Sequence, residues 1–251
     1  MGSRRLAFWR AGTLPLGPFQ LRWAFARRTD ASARRPHQRL QAGTLYKLHF
    51  GPGAGWKKPS DDWLTIDIDP QRGDIVMDFR EYAGLPLPDA SVSAIYASHT
   101  FEHVSIFTIP AVLKDCYRVL TRGGRMRVVV PDARESMQQY FNGNAEFPLF
   151  ARRRKKARAI YGEDYTLFEC LKEDFLSRSN QELLMGQDQL AHQNAWDFES
   201  FARSLGRCGF DESHVKRSTF RGSAFDDFAF EGSYPSEANE EDRSLYIEVT
   251  K

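Results

Sequence analysis

The sequence predicts an α/β protein built on an open, mostly parallel sheet covered on both faces, with an antiparallel pair at one edge. From residue 46 onward, short apolar runs alternate with amphipathic helical segments, as parallel strands and their crossovers require. The first such run ends in a glycine-rich turn, and the chain closes on two consecutive strand-like runs expected to pair antiparallel.

In chain order, Tyr46–Phe50 is the first strand, closed by Gly51-Pro52-Gly53-Ala54-Gly55. Residues 63–69 alternate with period two, which places Leu64, Ile66 and Ile68 on one face. Residues 74–78, Val92–Ser98 and 126–130 read as the next three strands, the last ending at Pro131. Between the last two of these, Pro110 suits a first helical turn. Val112, Cys116 and Val119, with Leu113, Tyr117 and Leu120, follow the helical repeat, and Gly123-Gly124 is expected to end it. A later helix runs from Asp197 as N-cap through Phe198, Phe201, Ala202, Leu205 and Cys208 to Gly209. The closing strands lie around residues 214–220 and 245–249, with residues 226–242 read as a long acidic loop. Residues 142–193 read as a mostly helical insertion over the site.

Composition bounds the partners. The 251 residues are 41% hydrophobic and 27% charged, enough for one packed domain. No stretch approaches the roughly 20 apolar residues of a membrane-spanning helix. The net charge of +2 divides unevenly: residues 1–40 hold nine Arg against the single acid Asp30 (+8), and the rest holds 26 basic and 32 acidic side chains (−6). A basic surface of the nucleic-acid-binding kind is therefore not expected. The remaining positive run, Arg152 to Arg158, reads as a solvated helix face or a dock for a polyanionic acceptor. Residues 1–40 read as a basic arm ahead of a domain at 41–251, with an organelle-targeting segment as the alternative. Cys116, Cys170 and Cys208 form no Cys-x-x-Cys pair. That speaks against a zinc site or a disulfide framework and fits a reducing compartment such as the cytoplasm.

Ligands of an open parallel sheet sit beyond the carboxyl ends of its strands. There Gly51, Gly53 and Gly55 free the backbone for close approach. Asp67, near the end of the second strand, can accept hydrogen bonds from both hydroxyls of a ribose. This strand–glycine–strand–Asp order points to a nucleoside cofactor. The seven residues from Trp56 to Asp62, with Pro59 among them, are too few and too broken for the helix that meets a pyrophosphate, which counts against a dinucleotide.

In these blocks the chain resembles the class I S-adenosylmethionine-dependent methyltransferases, specifically the type 11-like group. The resemblance is carried by Lys47-Leu48-His49-Phe50-Gly51-Pro52-Gly53, by Trp63 through Asp69, and by Leu85-Pro86-Leu87-Pro88-Asp89-Ala90-Ser91. It continues through Ala97-Ser98-His99-Thr100-Phe101-Glu102-His103 and Tyr117 through Gly124, and more weakly through residues 191–210. It implies a Rossmann-like, seven-stranded, mostly parallel sheet with an antiparallel edge strand and helices on both faces. It also implies S-adenosyl-L-methionine as cofactor. Gly51, Gly53 and Gly55 would line its methionine and ribose, Asp67 would hold the ribose hydroxyls, and Asp78 with Phe79 would flank the adenine. Ser98 and His99 would border the sulfonium.

The implied activity is methyl transfer to a small-molecule or saccharide acceptor, at oxygen. The alternative is a methyltransferase-like domain that binds a nucleoside or a partner without catalysis. A hydroxyl acceptor needs a base, and His99 and His103, beside Glu102 at the mouth of the fourth strand, are the candidates. His192 is a further residue able to reach the acceptor, whereas His37, His49 and His214 are expected to be structural or exposed. No [DN]PP[YFW] segment follows the fourth strand, which disfavours base amines of nucleic acid as acceptors.

Overall fold

The computed structural model describes residues 10–16, 19–25, 43–53, 55–176, 192–233 and 241–251. The chain divides into two compact units, Met1–Ser32 and Ala33–Lys251. In the first, β1 (Arg10–Leu16) and β2 (Phe19–Phe25) form an antiparallel hairpin that pairs Leu16 with Phe19 and Arg10 with Phe25. A stretch read from composition as an arm thus holds a strand pair. Strand pairing here accommodates Pro15, which lies opposite Gln20.

The second unit is a seven-stranded sheet. Its strands are β3 (Tyr46–Phe50), β4 (Trp63–Asp67), β5 (Ile75–Val76), β6 (Val92–Ser98), β7 (Leu120–Pro131), β8 (Lys216–Ser218) and β9 (Ser244–Thr250). The order is β5-β4-β3-β6-β7-β9-β8. Pairing is parallel from β5 to β7, and β9 pairs antiparallel with both β7 and β8. The Rossmann-like sheet with an antiparallel edge is as expected. The chain winds outward from β3 to β5 and then returns to β6 on the other side of β3. The crevice between the ends of β3 and β6 is therefore the topological switch point.

Both faces of the sheet are apolar, so its central strands are buried throughout. Leu48, Phe50, Leu64, Ile66, Ile95 and Val128 point to one face. There they meet Val112, Leu113, Cys116 and Val119 of α1 (Ile109–Val119) and Phe201 and Leu205 of α5 (Phe198–Arg207). Asp197 caps α5 as expected: its carboxylate accepts from Ser200 N at 2.8 Å, and Ser200 Oγ accepts from Asp197 N at 3.2 Å. On the opposite face Trp63, Ala94, Tyr96 and Val129 pack with Phe228 and Tyr246.

Four local expectations are corrected. Residues 226–242 are not simply a loop: Asp226–Ser233 is a 3₁₀ helix with Phe228 and Glu231 fully buried. Its aromatics, rather than aliphatic periodicity, seat it on the sheet. The first long helix ends at Val119, not at the glycines, because Leu120 turns extended (φ −63°, ψ 138°) and pairs with Val92. Gly123 and Gly124 instead exchange backbone hydrogen bonds with Lys251. Residues 74–78 hold only the two-residue β5. Asp74 leaves the strand because its carboxylate accepts from Thr65 N and Oγ1, both at 2.8 Å. β7, finally, is longer at both ends than the expected 126–130.

After β7 come α2 (Ala133–Phe141), α3 (Pro148–Tyr161) and α4 (Leu167–Leu176). The last two lie in the expected helical insertion and bury a separate cluster, including Leu149, Phe150, Ala157, Cys170 and Leu171. Residues 177–191 of that insertion lie outside the described residues.

Candidate active site

A cavity of about 420 Å³ opens at the switch point. Gly51 and Gly53 form its floor with φ of +60° and +65°, in the left-handed region open to glycine. A Cβ on Gly51 would collide with Thr100 Oγ1. Thr100 cannot yield there: its hydroxyl lies 3.0 Å from Phe50 O and 3.1 Å from Ser98 O, stapling the ends of β3 and β6 across the crevice. The sequence reading missed Thr100, and no local pattern marks it.

Ile66, Ile68, Met77 and Phe79 make an apolar wall, with Asp67 beside it. The rings of Phe50 and Tyr82 lie near-parallel to Phe79, each with its centroid 6.2 Å away. Asp67 spends one carboxylate oxygen on its own turn, accepting from Asp69 N at 2.8 Å. Its other oxygen is 3.7 Å from Arg72 Nε. Asp78 caps the 3₁₀ turn at Phe79–Glu81 and holds Arg80 through a forked pair, the closest contact being 2.6 Å. Burial opposes the Asp78 anion, but the hydrogen bonds from Arg80 outweigh it and hold the carboxyl below its ordinary range. These features suit a nucleoside: a flat apolar slot for a base, with a carboxylate at its side for hydroxyls. No helix follows the glycine turn in the described residues 55–62, so no helix N-terminus awaits a phosphate there.

The other end of the cavity carries His99, His103, Ser105, Thr108 and Gln193. His99 sits at φ +46°, an uncommon backbone for a non-glycine residue. Its N–H donates to Val129 O at 2.8 Å, which fixes it at the end of β6. Its Nδ1 is 3.1 Å from Glu102 Oε1 and its Nε2 is 3.0 Å from Ser244 Oγ. Burial lowers the His99 pKa despite the pull of Glu102, so the ring is neutral. Burial alone would raise Glu102, but the His99 hydrogen bond and the imidazoles of His99, His103 and His192 hold it anionic, at about 2. Nδ1–H therefore donates to Glu102, and Nε2 accepts from the Ser244 hydroxyl.

Of the residues singled out from sequence, Gly51, Gly53, Asp67, Asp78, Phe79, His99 and His103 converge on this cavity. Gly55, Ser98 and His192 are not among its lining residues. His192 stands behind His103, ring edge to ring face at 5.0 Å. His49 is buried and His214 exposed; His37 lies outside the described residues. The Arg152 to Arg158 run is largely consumed within the chain. Arg152 faces Asp242 at 3.2 Å, Arg153 pairs with Asp174, and Arg154 and Arg158 share Asp164 at 3.0 and 2.8 Å.

Residues 65–128, from β4 into β7, match the family model described as "Methyltransferase domain". Across that segment the chain is similar to the type 11 methyltransferases. The methyl donor of this family is S-adenosylmethionine. The matched segment includes Asp67, Asp78, Phe79, His99 and His103 of the cavity and leaves out Gly51 and Gly53. Among solved structures, this chain is similar to a SAM-dependent methyltransferase from Archaeoglobus fulgidus (14% identity, 83% of this chain and 87% of that one, TM-score 0.43). It is also similar to one from Mesorhizobium loti (14%, 83% and 92%, 0.44). A third is Haemonchus contortus phosphoethanolamine N-methyltransferase 2 in complex with S-adenosyl-L-methionine (11%, 83% and 49%, 0.41). No curated relative matches the chain by sequence. Among the described residues no helix is long and apolar enough to cross a membrane.

Proposed function

We propose that this methyltransferase binds S-adenosylmethionine in the switch-point cavity and methylates a hydroxyl of a small molecule or saccharide. The observation that carries the reading is the pairing of an apolar slot (Ile68, Met77, Phe79) with the Asp67 carboxylate in the same cavity as Gly51 and Gly53. Bound there, the cofactor supplies a methyl group on a sulfonium, open to in-line displacement. Asp67 would hold the ribose hydroxyls through its outer oxygen, and Phe79 would stack on the adenine. Gly51 and Gly53 would let the chain approach the methionine part closely.

The acceptor would enter from the side of Ser105, Thr108 and Gln193. As the acceptor oxygen bonds to the methyl carbon, its proton passes to His99 Nε2, the Ser244 hydroxyl rotating aside. Glu102 on Nδ1 then stabilises the imidazolium. Holding donor and acceptor in register supplies much of the acceleration. The buried free thiols Cys116, Cys170 and Cys208 suit the cytoplasm as its compartment.

The test is calorimetric titration with S-adenosylmethionine and S-adenosylhomocysteine, beside NADH, on the native protein and on Asp67→Ala. Binding of the adenosyl compounds alone is expected, with the variant weakened at least tenfold, about 1.4 kcal/mol. A folded protein that binds neither adenosyl compound would overturn the reading and leave a partner-binding domain.

A further inference from the structure

We propose that Glu102, His103 and His192 form a binding site for one zinc-type divalent cation at the acceptor end of the cavity. Each of the three residues offers one ligand atom, and these atoms lie within 4.8 Å of one another. In a tetrahedral zinc site the ligand atoms stand roughly 3.3 Å apart, so the three need close by no more than about 1.5 Å, within the reach of small side-chain rotations.

The surroundings are those of a prepared site. Glu102 gives Oε1 to His99, while its Oε2 is buried and has no hydrogen-bond partner among the described residues. A carboxylate oxygen left so is costly, and a cation is the partner that satisfies it. His192 Nδ1 lies 2.7 Å from the backbone oxygen of Asp174, which fixes its proton there and turns the Nε2 lone pair away from α4. Such second contacts are what orient metal-binding imidazoles, and His99 performs the same service for the carboxylate. The two chain segments are also locked together: Gln193 N and Asn194 N donate to Glu102 O at 2.8 and 3.0 Å.

The donor set selects the ion. Two imidazoles and one carboxylate suit zinc or its borderline neighbours, whereas magnesium and calcium prefer oxygen alone. Three protein ligands leave a fourth position open, as in catalytic zinc sites. His103 lines the cavity, which sets the cluster beside it. An acceptor hydroxyl bound there would ionise more readily. This consequence rests on the methyltransferase reading; the site itself does not. The cysteine spacing alone argued against zinc, but cysteine takes no part here.

Full-length protein stripped of metal would be titrated with zinc against a chromophoric chelator, without any adenosyl compound, and with cobalt by absorption. One equivalent per chain is expected, with cobalt bands of a nitrogen–oxygen donor set. His192→Ala and His103→Ala should each weaken zinc at least about 100-fold, while His214→Ala, at an exposed position, should not. Melting curves identify any variant that fails to fold, and the other then carries the comparison. Absence of stoichiometric binding by the folded native protein, or undiminished binding by the folded variants, would overturn the proposal. Adenosyl binding is measured separately in excess chelator. Cofactor binding without zinc binding sinks the metal site alone, and zinc binding without cofactor binding sinks the methyltransferase reading alone.

Discussion

His49 lies on β3 between Leu48 and Phe50, which face α1, so its ring points to the opposite face of the sheet. There it meets the rings of Trp56 and Tyr96 edge to face at 4.4 and 4.9 Å. Burial pushes its pKa from 6.5 down to about 3. Between those values the unfolded chain binds a proton that the folded chain refuses, so stability falls as the pH is lowered through that window. The slope is at most about 1.4 kcal/mol per pH unit. His49→Phe, which keeps the aromatic packing, is expected to remove this contribution. Urea melts of both proteins at about pH 7.5 and about pH 5 would show it as a smaller loss in the variant. Thr100 makes the complementary point: a single hydroxyl joins two strand ends and compels glycine at position 51.

At the scale of elements, the 3₁₀ helix at Asp226–Ser233 depends on one side chain of β7. Arg127 is fully buried and holds Glu231 through Nε and Nη2 at 2.8 and 2.7 Å, and Glu248 through Nη1 at 2.9 Å. Tyr96 adds its hydroxyl to Glu231 at 2.7 Å. The cluster ties three strands and the 3₁₀ helix into the second face of the sheet. Arg127→Met would leave two buried carboxylates without their cation. A loss of about 3–5 kcal/mol is expected in urea unfolding, far beyond what a surface ion pair is worth. Tyr96→Phe, which removes one neutral donor, should cost only about 1 kcal/mol in the same assay.

For the whole molecule, all seven strands of the large sheet and every lining residue of the cavity belong to the unit Ala33–Lys251. A chain lacking residues 1–32 is therefore expected to keep its affinity for S-adenosylhomocysteine within about twofold. Calorimetry on the shortened and full-length proteins checks this, and a larger loss would assign the hairpin a part in the site. The charge division falls near that boundary: the excess of Arg lies within residues 1–40 and the acidic balance after them.

Local periodicity was sufficient for most of the elements, because alternating or helically spaced apolar residues state which face must be buried. The glycine turn, Asp67, the shortened first connection and the Asp197 cap were legible for the same reason: each is a short-range requirement of the backbone. Arg127 on a strand and Glu231 in an acidic stretch read as surface charges until the fold buries them against each other. The 3₁₀ helix was missed because its anchors lie on three strands rather than in its own periodicity. Glu102 and His103 meet His192 only because the chain between them travels through β7 and, among the described residues, four helices, and back. Strand order, the cavity and that cluster come from long-range packing, which decides which chemically suited residues share a site.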